Sequence, residues 1–160
     1  MLTLWTIALV ALFSLIRAQT TPGTISAPAP YTPVAPGSAF NFSYNAHADY
    51  CISSFSFTAY VITEPPTSLI ETGDFMGGYT FGTYQEENYP AVPWPTNPPP
   101  SQLTMPDFST VESGWGRGFN CTNCTFYITV LEEWDDCAGA LGRKFGLASV
   151  PVIYNATTTS

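Results

Sequence analysis

The sequence predicts an all-β protein, a two-layer β-sandwich. Three observations carry that prediction. Short runs of β-branched and aromatic residues alternate apolar with polar positions, which is the period of a half-buried strand. Fifteen prolines and twelve glycines punctuate those runs. No stretch combines helical periodicity with capping residues. Five to seven short strands separated in this way fit an immunoglobulin- or fibronectin-like sandwich with one proline-rich crossing loop, and a small β-barrel is the alternative.

Residues 1–18 read as a secretory signal peptide. The apolar run from Ile7 to Ile16 is too short for a membrane span, and Ala18 is a small residue at the cleavage point. Residues 19–160 then form a single secreted domain, long enough to bury a core. Thr20 to Pro36 is an extended lead-in with an edge strand at Thr24–Ala27. Ser38 to Asn45 is a strand with Phe40, Phe42 and Tyr44 inside and Asn41, Ser43 and Asn45 outside. Cys51 to Thr63 is the second strong strand, with Phe55, Phe57, Ala59 and Val61 on one face. Ser68 to Gly73 is a strand or an irregular crossing. Met76 to Tyr84 alternates again, and its glycines suggest a bulge or an edge.

Pro90 to Pro106 holds seven prolines and excludes both a helix and a central strand. It is expected to cross the surface in polyproline conformation, with brief pairing at Gln102 to Met105. Gly114 to Gly118 is a turn. Thr125 to Trp134 is the clearest strand, with Phe126, Ile128 and Val130 on one face and Tyr127, Thr129 and Leu131 on the other. Leu141 to Leu147 reads as a turn. The last strand, Ala148 to Asn155, is interrupted by Pro151.

Four cysteines allow three pairings. Thr125 to Trp134 spans roughly 30 Å as a strand, and bridged Cα atoms lie within about 7 Å. Cys137 at one end therefore does not reach Cys121 or Cys124 at the other. The remaining pairing is Cys51–Cys137 with Cys121–Cys124. In the loop-entropy description the longer bridge contributes about 4–5 kcal/mol. The Cys-x-x-Cys spacing also occurs in redox motifs, but those open a helix, and here a strand follows. Four N-glycosylation sequons, at Asn41, Asn120, Asn123 and Asn155, agree with a secretory route.

Twelve acidic residues against four basic ones give a net charge of −8, so nucleic acid and anionic membranes are not expected partners. Glu132, Glu133, Asp135 and Asp136 form an acidic cluster. It lacks the order of a calcium loop and reads as solvated, with calcium binding left open. Adjacent carboxylates on a strand face opposite ways, so neither Glu86-Glu87 nor Glu132-Glu133 makes a glycosidase pair by itself. His47, the sole histidine, belongs to no nucleophile motif and supplies too little for a zinc site. The expectation is a protein with no catalytic residues, no metal and no cofactor. Trp94, Trp115 and Trp134 are candidates for a sugar-stacking platform or for aromatic core packing.

Several stretches in order carry a resemblance. They are Phe40 to Tyr50, Ile52 to Ser54, Gln102 to Phe108, Gly114-Trp-Gly116, Thr125 to Tyr127 with Val130 to Glu133, and Ile153 to Ala156. Together they resemble the fungal necrosis-inducing secreted protein family in its mushroom-forming-fungus branch. That resemblance implies a small, non-enzymatic secreted effector. Such effectors suppress plant pattern-triggered immunity by binding immune receptor-like kinases and their cytoplasmic partner kinases. The expected setting is extracellular, with delivery into host cells also open, and the expected state is a monomer. The four cysteines are not part of the family pattern. The alternative expectation is a cell-wall carbohydrate-binding module.

Overall fold

A computed structural model describes residues 23–49, 52–64, 78–110, 121–136 and 142–157. The signal peptide, Cys51, Cys137, Asn120, the 68–73 crossing and the 114–118 turn with Trp115 lie outside the described residues. Among those described there is no helix, and none long and apolar enough to cross a membrane.

The described residues form ten strands: β1 Thr24–Ala27, β2 Thr32–Val34, β3 Ala39–Asn41, β4 Ser43–Asn45, β5 Ala48–Asp49, β6 Ile52–Ile62, β7 Gly78–Tyr84, β8 Gln102–Thr104, β9 Cys124–Asp136 and β10 Lys144–Tyr154. The main sheet runs β2-β10-β9-β6-β5, with β7 also paired to β6. Its pairs are antiparallel except β2 with β10. Against it lie two short ribbons, β1–β4 and β3–β8. The protein is thus all-β, with a sandwich-like arrangement of sheets, as its sequence predicts.

The core lies between these layers. Phe40, Phe42, Tyr44, Leu103 and Met105 come from the ribbon side, and Phe57, Ala59, Val61, Ile128, Val130 and Val152 from the main sheet. Phe57 meets the rings of Phe42, Tyr44 and Tyr84. Each fully buried large side chain contributes about 1.5–3 kcal/mol.

The structure changes several details of the sequence reading. More strands form than the expected five to seven, because β2 and β5 are too short to carry a pattern. The run Ser38–Asn45 is split at Phe42: its N–H, 2.9 Å from the Ser101 carbonyl, extends the β3–β8 ladder by one more pair, and the residues after it turn to a different partner. β3 therefore pairs with β8 and β4 with β1, while the inward alternation survives. In β6 the register against β9 shifts between Ser54 and Ser56. Phe55 is the extra residue of this bulge and leaves the face of Phe57. Its ring lies instead beneath the Arg143 guanidinium, 4.0 Å away. Finally, β10 starts at Lys144, so Phe145 to Leu147 are strand and not turn. Their backbone pairs with Glu133 to Leu131, and a long neighbouring strand supplies that ladder whatever the side chains.

The expected interruption at Pro151 does not occur: β10 pairs with β9 without a break from Lys144 to Tyr154. Pro151 sits inside β10, where its carbonyl accepts from the Tyr31 N–H at 2.7 Å. In an extended residue the nitrogen lies on the same strand edge as the carbonyl, so the missing N–H takes nothing from the β9 ladder. The β6–β7 register shifts at Gly82, which has φ +157°, so the glycine-marked bulge is present.

Candidate functional site

The acidic cluster is neither a loop nor a cluster. Its residues belong to β9, and alternation divides them. Glu132 continues the inward face of Phe126, Ile128 and Val130 and is fully buried. Glu133 faces outward and pairs with Arg143 at 3.0 Å. Asp135 is half-buried. Among the described residues no group of three or more His, Cys, Asp or Glu side chains could hold a metal ion.

A buried carboxylate requires donors, and Glu132 has three. The Tyr44 hydroxyl donates to Oε2 at 2.8 Å, His47 Nδ1 to the same oxygen at 2.7 Å, and the His47 backbone N–H to Oε1 at 2.8 Å. Burial, and then the Glu132 charge, push the Tyr44 hydroxyl far above its ordinary range, so it remains a donor. Trp134, also buried, stacks on His47 with ring centroids 4.4 Å apart. Lys144 Nζ lies 4.9 Å from the Trp134 ring. On the adjacent loop Glu86 accepts from the Ala46 N–H. Consecutive amides of the β4–β5 turn thus each hold a different carboxylate. This arrangement fixes the turn against β9, and both Glu132 oxygens are engaged.

Glu132 and Trp134 could have been placed from the sequence by extending the face of Phe126 through two more even positions. Tyr44 and His47 could not be named as their partners, because nothing local to either residue encodes a contact across about 85 residues of chain.

The aromatic candidates separate. Trp134 is core. Trp94 is 84% exposed and Tyr89 71%. Both lie on a tied-down loop. Asn88 and Val92 exchange backbone hydrogen bonds at 2.9 Å, and Asn88 Nδ2 donates to the carbonyls of Ser54 and Glu86. Further on, Gln85 Oε1 accepts from Thr96 N–H and hydroxyl, and Asn97 Nδ2 donates to the Thr83 carbonyl.

Cys121 and Cys124 are bridged, with Cα atoms 5.8 Å apart. Such a bond fits an oxidising compartment. The register places Ile52 opposite Asp136, each one residue from the other two cysteines. Beside the bridge, Asn123 and Asn155 adopt left-handed φ values of 58° and 51°, which asparagine tolerates. Asn123 and Thr157 face each other: Nδ2 donates to the Thr157 hydroxyl at 2.8 Å, and Thr157 N–H returns to Oδ1 at 2.9 Å. Asn155 Nδ2 donates to the Cys121 carbonyl at 3.0 Å and the Thr122 hydroxyl at 3.3 Å. Asn41 stands apart, exposed on β3, where its Oδ1 accepts from Gln102 Nε2 at 3.1 Å. No protein-family model, curated protein or solved structure matches the chain.

Proposed function

We propose that the chain is a secreted, non-catalytic, monomeric binding protein of the effector type. Its partner, on the family resemblance, is a host immune kinase, either receptor-like or cytoplasmic. The observation that carries a protein partner is the tied-down loop from Glu86 to Asn97, with Tyr89 and Trp94 displayed at its surface. Tryptophan and tyrosine are the side chains that most often dominate protein interfaces, and a loop already held in shape loses little entropy on binding.

A cell-wall carbohydrate-binding module is the second reading, favoured by the same exposure of Trp94. Against it, the burial of Trp134 removes one member of the expected platform. The test offers the disulfide-intact protein to plant immune kinase domains and, in parallel, to insoluble chitin, cellulose and β-glucan. The expected result is saturable kinase binding that Trp94→Ala weakens about tenfold or more, a loss of at least ~1.4 kcal/mol. Retention on a polysaccharide that Trp94→Ala abolishes establishes the second reading. Binding to neither overturns both.

A further inference from the structure

We infer that Asn41 is the N-glycan acceptor of the folded protein, with its first sugar seated in the groove beside β3, and that Asn123 and Asn155 serve unmodified as a clasp. The inference rests on the secretory part of the reading above.

The three described sequons differ in what their amide nitrogens do. Asn41 Nδ2 has no acceptor among the described residues, while its Oδ1 accepts from Gln102. An N-glycosidic amide keeps its carbonyl oxygen, so that bond survives modification. Asn155 Nδ2 donates to both the Cys121 carbonyl and the Thr122 hydroxyl, and a sugar on that nitrogen crowds this pair of contacts. Asn123 and Thr157 close a two-bond ring. In a trans secondary amide the substituent takes the position on the carbonyl-oxygen side. That is the N–H which closes this ring, so a sugar there opens it.

Beside Asn41 lies a groove of about 350 Å³, at the small end of the roughly 300–1,000 Å³ of small-molecule sites. Pro33 and Ala39 give it an exposed apolar wall, the buried Pro28 and Phe40 lie at its floor, and Asn41 and Gln102 also line it. A pyranose attached to Asn41 lays its C–H face on those carbons and keeps its hydroxyls in water. The attachment point lies on the groove itself, which is what commits it to this occupant.

The transfer requires a lipid-diphosphate-linked oligosaccharide as donor. Asn41 Nδ2 bonds to the anomeric carbon, the bond from that carbon to the diphosphate oxygen breaks, the lipid diphosphate leaves with the electron pair, and one amide proton is lost. Transfer takes place on the unfolded chain. The fold therefore selects by which modified chains it accommodates, and those carrying sugar at Asn123 or Asn155 fold without the clasp.

The test is secretion of the full chain from a yeast host. Enzymatic deglycosylation in heavy-oxygen water followed by peptide mapping reads occupancy, and melting temperatures compare the intact glycan with one trimmed to its first sugar. Heavy-oxygen aspartate at 41, with asparagine at 123 and 155, is expected. The trimmed and intact forms should melt together, a few degrees above both Asn41→Gln and Ser43→Ala. Ser43→Ala removes the sequon while keeping the Asn41–Gln102 bond, and a Ser26→Ala variant, which retains the sequon, measures separately the Ser26–Ser43 hydroxyl contact that Ser43→Ala also gives up. Secreted protein with Asn41 unmodified overturns the acceptor assignment. Equal occupancy at Asn123 or Asn155 overturns the clasp, and a trimmed form that melts with the variants overturns the seated sugar. Retention in the cell with an uncleaved leader is a different result, and it removes the secretory reading instead.

Discussion

Replacing Glu132 by glutamine keeps the volume and one acceptor oxygen but takes the carboxylate from three donors. It should cost about 1–3 kcal/mol. Glu132→Ala leaves His47 and Tyr44 facing a void and should cost about 3–5 kcal/mol. Urea midpoints for both variants at constant slope check this order. Glu86 responds to pH in the opposite sense from a salt-bridged acid. Burial, and to a lesser degree the Glu132 charge, hold its carboxyl above the ordinary 4.5, while the bond from Ala46 N–H works the other way. The folded state therefore binds its proton more readily than the unfolded chain, so this contribution is present below pH 4.5 and lost as pH rises through the raised value. Glu86→Gln should thus be more stable than wild type at neutral pH, with the gap closing below pH 4.5. A gap that stays constant with pH overturns the assignment.

The elements most legible in the sequence were those whose side chains alternate cleanly. Phe40, Phe42 and Tyr44 are inside as their spacing requires, and so are Phe126, Ile128 and Val130. Features that depend on the partner strand were not legible: the bulge that turns Phe55 outward, the early start of β10, and the division of Ser38–Asn45 between two ribbons. A strand's own residues do not state its register, and one inserted residue reverses every face beyond it. Glycine was the exception, since it marked the second bulge correctly. A Cβ at Gly82 would come within 2.8 Å of the Tyr84 hydroxyl, at a φ that side chains rarely adopt. Gly82→Ala should cost about 1–3 kcal/mol, and thermal melts with hydrogen exchange in β7 should show the loss concentrated on that edge.

For the whole molecule the cysteines set unequal expectations. The Cys121–Cys124 bridge closes so short a loop that its removal should cost only about 2 kcal/mol, against about 4–5 kcal/mol for the predicted Cys51–Cys137 bridge. Non-reducing peptide maps and melts of Cys→Ala pairs compare the two, and a peptide linking Cys51 to Cys121 or Cys124 overturns the pairing. The main sheet has a further consequence for synthesis. Its inner strand β10 is the last of the described strands to be made, yet it joins β9 on one side and β2, residues 32–34, on the other. Until residues 144–154 leave the ribosome, β9 has a bare hydrogen-bonding edge and β2 has no place in its sheet. Closure then depends on contacts between distant parts of the chain, the kind that makes folding slow. From the emergence of β9 until β10 is complete, a nascent chain of this design carries an open strand edge, the feature that pairs with other chains unless it is covered.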